Sequence, residues 1–146
     1  MPVEVNTPAD AVTKYLEREG FDVTYGVQLK TGYFPSDRNV IVSTDYNSRK
    51  DGALQRTGEA LISPQVQVRV RHTDYPQCYI LVNEIAKVLS ALNQDDMVIF
   101  DFPDGAFMFA SFYVTSGPIY MGRDPKPGEL ENFSLNGEVT LIPFTP

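Results

Sequence analysis

One histidine, one cysteine and a few neighbouring acids are the residues of this sequence whose types could do chemistry. His72 stands two positions before Asp74, where a carboxylate could tune an imidazole for proton transfer. No obvious nucleophile accompanies it, and the plainer reading is a surface histidine where a strand meets a helix. Cys78 lies near the start of a helical run, a place that stabilises a thiolate. Its register puts it on the stripe of Leu81 and Ile85, so it is expected to pack as a small hydrophobe. Asp95 and Asp96 are adjacent in a turn and cannot face each other as a working pair. Asp101 and Asp104 bracket a hairpin, where aspartate serves the turn. No EF-hand spacing is present, and Gly117, Pro118 and Gly122 do not form a phosphate cradle because proline removes amide donors. The sequence therefore points to no catalytic residue, no cofactor and no metal.

Binding is better represented. Gln65, Gln67, Arg69 and Arg71 form a polar, locally basic row on one strand face, which either a solvated sheet or a binding face would explain. A long polar connection at about 46–63 carries Arg49, Lys50 and Arg56 and exceeds the usual loop length, so it is a functional loop, a loop ordered by binding or a plain exposed one. A second loop, at about 117–130, combines Tyr120, Met121, Arg123 and Asp124 with stiffening prolines. Tyr, Met and Arg are enriched at interfaces, and prolines lower the ordering cost of binding.

The elements that must position these residues are legible from pattern. Thr7 caps a helix to Gly20, with Pro8 at its first position, Asp10 three residues past the cap, and Val12, Tyr15 and Leu16 on one face. Phe21–Arg38 mixes apolar residues with glycine and proline, predicting a short strand or an irregular passage. Val40–Val42 reads as a strand. In Pro64–His72, Val66, Val68 and Val70 alternate with the polar row, the pattern of a half-buried strand. Thr73 or Asp74 then caps a second helix to about Asn93, with Cys78, Leu81, Ile85, Val88, Leu89 and Leu92 along one stripe. Met97–Phe102 and Ala106–Ser116 flank a turn at Pro103-Asp104-Gly105. Glu131–Phe144 is a last strand, with a bulge expected at Asn136-Gly137. Helix, strands, helix, strands is an α+β order: a largely antiparallel mixed sheet with two helices packed on one face.

The chain has 146 residues, enough for a single domain over 1–146 with its own core. Its net charge of −7 opposes a broad phosphate-gripping surface and would suit a wall past which DNA slides. A single cysteine excludes an internal disulfide and a thiolate cage. No apolar run approaches the ~20 residues of a membrane helix. The Met1-Pro2-Val3-Glu4 start lacks the layout of a signal peptide, so synthesis in a reducing cytoplasm is expected.

An ordered set of motifs carries a resemblance. Pro64–Arg71 reads PQVQVRVR and is followed by Asp74-Tyr75 and a helix containing Asn83-Glu84-Ile85. Next come Gly117-Pro118-Ile119-Tyr120-Met121-Gly122-Arg123-Asp124 and Phe133-Ser134-Leu135-Asn136. Together with Gly32–Asp37 and Val40–Asp45 upstream, they resemble the phage tail-terminator and minor capsid proteins of long-tailed phages across most of the chain. The stretch Lys126–Glu129 is longer than in that pattern.

The resemblance implies a structural virion protein, made in the host cytoplasm and placed at the head–tail junction. It implies a homohexameric ring on the head-proximal end of the tail, which stops tube growth and gives the head its docking surface. Expected partners are other copies of the chain, the tail tube protein and the head-completion or connector proteins. DNA would pass through the lumen without specific binding, and no membrane is involved. Gln67, Arg69, Arg71, Tyr120, Arg123, Asp124, Arg49, Lys50 and Arg56 are the expected interface residues. Two other readings stay open: a head-completion adaptor between portal and tail, and a monomeric ligand-binding domain with a concave pocket.

Overall fold

The computed structural model describes residues 3–32, 39–47, 64–92, 98–103, 105–123 and 130–143. Among them the order is β1 (Val3–Glu4), α1 (Pro8–Arg18), α2 (Phe21–Tyr25), β2 (Gln28–Thr31), β3 (Val40–Asn47), β4 (Gln65–His72), α3 (Tyr75–Ser90), β5 (Val98–Phe102), β6 (Gly105–Arg123) and β7 (Glu131–Pro143). The strands form one sheet in the order β1-β5-β6-β7-β4-β3-β2. The β1–β5 and β2–β3 pairs are parallel and the remaining neighbours antiparallel, so the fold is a mixed, largely antiparallel α+β sheet.

Side chains alternate across a strand, and this alternation divides the sheet into two faces. Val66, Val68 and Val70 of β4 are fully buried, and in register with them stand Ile41 of β3 and Phe133 and Leu135 of β7. Helix α1 packs over β2, β3 and β4, and α3 over β4, β6 and β7. The two helices thus share one face and close a single core with Tyr15, Leu16, Leu81, Ile85, Leu89 and Phe109.

Capping follows the sequence. The Thr7 hydroxyl accepts from the Asp10 amide at 3.2 Å, and the Asp74 carboxylate accepts from the Gln77 amide at 3.3 Å. Each bond satisfies a donor that a helix start leaves free. Asp45 also accepts from the Ala9 amide at 2.9 Å, which ties the start of α1 to β3.

Four expectations need correction. A third helix, α2, occupies part of the passage read as strand or irregular chain, held between Gly20 and Gly26, both left-handed. The connector expected from residue 117 begins later, because β6 continues as strand to Arg123. The first long connection begins two residues late as well, since β3 runs to Asn47; residues 48–63 and 124–129 lie outside the described ones. The bulge expected at Asn136-Gly137 falls on the facing strand. β7 stays in step with β4 there, and the register slips on β6 between Val114 and Ser116. Gly137 is packed instead: an added Cβ would lie 2.1 Å from the Phe112 ring, which covers it.

Candidate protein–protein interface

Large apolar side chains left in water mark interaction surfaces when they are contiguous. Most of those described lie on β6 and α3, and Tyr75, Tyr79 and Tyr120 gather at one place on the helix side, while Tyr113 and Ile119 stand on the opposite face. Tyr113, Ile119, Tyr120 and Met121 of β6 are exposed, as are Tyr75, Tyr79 and Ile80 of the overlying α3. Tyr120 lies opposite Phe133 in the β6–β7 register, with ring centroids 5.2 Å apart. Tyr75 completes the cluster at 5.3 Å from Tyr120 and 5.5 Å from Phe133, and Tyr79 sits 5.9 Å from Phe133. Offset and edge-to-face spacings of this kind hold rings rigid, which reduces the entropy lost when a partner covers them.

Beneath the cluster lies one carboxylate. Tyr120 donates its hydroxyl to Glu131 Oε1 at 2.5 Å, and Arg123 donates Nε to Glu131 Oε2 at 2.7 Å. The Glu131 side chain is 3% exposed while that of Arg123 is 59% exposed. Hydrogen bonds from Tyr120 and then Arg123 hold the Glu131 carboxyl below its usual range, although burial opposes them. The same bond raises the Tyr120 phenol. The carboxylate is covered by its own partners at the margin of the domain. Its work there is to fix the end of β6 and the orientation of the Tyr120 ring.

The expected interface residues divide. Tyr120 and Arg123 come together on the helix side of the sheet. Gln67, Arg69 and Arg71 lie on the opposite face, half-buried, so the polar row of β4 and the β6 patch are separate surfaces. That second face is not a solvated one. Val40 and Val42, the β3 neighbours of Arg71 and Arg69, are both fully buried, as are Asn132 and Ser134 on β7. Arg69 Nη2 reaches Asn132 Oδ1 at 3.5 Å. Arg49, Lys50, Arg56 and Asp124 lie outside the described residues.

Sequence reasoning passed over Tyr79, Ile80 and Glu131. A signal for the first two existed: both fall off the Cys78/Leu81/Ile85 stripe, so a helix packed by that stripe leaves them outward. Nothing local marks Glu131, whose partners come from another strand.

Of the remaining chemical candidates, Asp95, Asp96 and Asp104 lie outside the described residues, and His72 and Cys78 are held by the fold. His72 Nδ1 accepts from the Asp74 amide at 3.0 Å, and the Asn39 side-chain amide nitrogen lies 3.4 Å from Nε2. Burial lowers the His72 pKa, and the Asp74 charge only partly offsets this. Cys78 is buried, with Sγ 3.6 Å from the Val70 carbonyl, and burial pushes its thiol up to about 12. Among the described residues no three His, Cys, Asp or Glu side chains converge on a metal position, and no helix is long and apolar enough to cross a membrane. An open cleft of about 370 Å³ between the helices is lined by Tyr15, Phe21, Tyr25, Glu19 and Glu84 among others. It brings two carboxylates near aromatic walls but does not include His72.

No protein-family model matches the chain, and no match is found among curated proteins. Among solved structures, a chain of the "Virion of native gene transfer agent (GTA) particle" has a similar fold. The TM-score is 0.54 at 11% identity, covering 90% of this chain and 91% of that one. At that identity the likeness is one of fold.

Proposed function

We propose that this chain is a structural protein of a phage-like particle. In this reading it forms a ring, homohexameric by resemblance, at the head-proximal end of a tail. There it ends growth of the tail tube and offers the docking surface for the head. The observation that carries the reading is a fold shared over nine-tenths of both chains with a chain of a gene transfer agent virion.

Two further features support it. A ring needs two different patches on each subunit, because head-to-tail contacts repeat and close only when the patches differ. The tyrosine cluster at the end of β6 supplies one rigid, exposed patch with the aromatic and arginine content typical of protein contacts. The net charge of −7 suits a conduit through which DNA passes without adhering. Residues Arg49, Lys50, Arg56 and Asp124 belong to this reading as contacts to neighbouring subunits or to the tube, and Gln67, Arg69 and Arg71 as supports of the second face. The chain would then reside in the virion, with the tube protein and the connector proteins of the head as partners.

The test is addition of the purified chain to growing tail tubes. Shorter tubes with added density at one end are expected. Unchanged tube lengths with bare ends would contradict the reading, and binding to portal-bearing heads in place of tubes would assign the chain to head completion.

A further inference from the structure

Strand β6 is far longer than its neighbour. β5 pairs with Gly105–Phe109 only, while β6 has 19 residues and ends at Arg123. Past Phe109, β7 lies along one side of β6, and among the described residues no strand lies along the other. An open edge carries unpaired amides and carbonyls and invites another strand, so proteins usually guard such edges with charges. This one has no charge to guard it before Arg123: Gly105 through Gly122 contains no charged residue, in a chain with 31 of them (12 basic and 19 acidic). Pro118 has no amide to donate, so it divides the edge and leaves Ile119–Arg123 as a terminal stretch, with a register shift between Tyr120 and Gly122.

At the opposite end of the sheet stands a second open edge. β2 pairs with β3 on one side and, among the described residues, with nothing on the other. Its four residues are one fewer than the five of Ile119–Arg123, and it carries Lys30 and no acid. Just before it in the chain, α2 holds Val23 at 84% exposure, the largest for any large apolar residue described.

We propose that Ile119–Arg123 of β6 accepts the β2 edge of a second copy of this chain, so that the sheet runs from one subunit into the next. A sheet continued in this way keeps its two faces. The helical layer of the neighbour, with Val23, then meets the Tyr75–Tyr79–Tyr120 cluster, and two exposed apolar surfaces cover each other. Charge favours this partner and this place. Copies of a chain at −7 repel each other, and the repulsion is weakest where neither edge carries an acid: Ile119–Arg123 bears one arginine, paired to Glu131 of its own sheet, and β2 one lysine. The contact joins unlike edges and therefore repeats, as a closed ring requires. This inference rests on reading the chain as a ring-forming subunit.

Ile119→Lys places a charge on the β6 edge, Tyr79→Glu does so on the cluster above it, and Val23→Glu alters the other edge. All three positions are exposed, and circular dichroism verifies that each variant folds. Sedimentation over a concentration series should show wild-type chain self-associating and each variant weakened by about tenfold or more. An equal mixture of Ile119→Lys and Val23→Glu should recover association but stop at heterodimers, since one intact edge of each kind remains. Loss of association in the β6 variant alone, with Val23→Glu unaffected, would mean like-with-like pairing and overturn the proposal. Wild-type association unchanged by all three would overturn it while leaving a ring built on other contacts. A wild-type monomer at every concentration would also overturn it. Association through these edges by a chain that fails to cap tubes would keep the edge contact and remove the tail reading.

Discussion

Arg123 Nε donates to Glu131 Oε2 at 2.7 Å across the β6–β7 pair, and Tyr120 holds the other oxygen of the same carboxylate. Two residues that the sequence marks as exposed contacts are therefore fastened to a covered acid. They form a built end of the sheet and not a loose loop.

Glu131 gives this end an acid limit. Its folded pKa lies below the unfolded value of about 4.3, so the unfolded state binds the extra proton. The stability it contributes is complete above that unfolded value and is lost as pH falls through the folded one. Glu131→Gln should flatten the acid limb of a Tm-versus-pH curve below about pH 4.3. Arg123→Ala should do so partly, leaving the domain folded at neutral pH and its assembly weakened.

His72 acts in a different window. Its folded pKa is lowered, so its contribution is present above the unfolded value of about 6.5 and is lost as pH falls below it. Protonation on Nδ1 would also break the bond from the Asp74 amide. Urea unfolding of wild type should show stability declining as pH falls below about 6.5, and His72→Gln should remove that slope. An NMR titration placing His72 above 6.5 would contradict this account.

Gly137 carries the Phe112 ring where a Cβ would stand. Both residues are buried, so the ring cannot swing into solvent. Gly137→Ala should cost about 1–3 kcal/mol, as overpacked cores do, measured by denaturant midpoint at constant m. Combining it with Phe112→Leu should recover part of that loss.

Helix α3 separates stability from assembly on its two sides. Leu81→Ala or Ile85→Ala should lower stability by about 2–5 kcal/mol, because both side chains are fully buried. Tyr79→Ser, on the exposed side of the same helix, should leave the Tm nearly unchanged and reduce self-association in sedimentation.

The legible parts of this fold are those where one period runs long enough to count. The valine alternation of β4, the Cys78-to-Leu89 stripe of α3 and the Thr7 cap each follow from neighbours along the chain. What was not legible depends on strands far apart in sequence. Gly117, Pro118 and Gly122 read as loop because each disfavours regular strand. Register shifts along β6 and its pairing to β7 absorb them. α2 is too short, at five residues, for a helical period to register. Arg69 and Arg71 read as a polar row that a solvated or a binding face would explain equally, and only the β3 register shows fully buried Val42 and Val40 beside them. Glu131 was invisible as a site residue because its partners, Tyr120 and Arg123, meet it only when the hairpin closes.

The central claim is a ring. Negative-stain images and mass measurement of the purified chain over a concentration series, alone and on tail tubes, test it directly. Annular particles of six subunits with an axial hole are expected, formed free or at one tube end. Monomers at every concentration, with tube ends left bare, would contradict it.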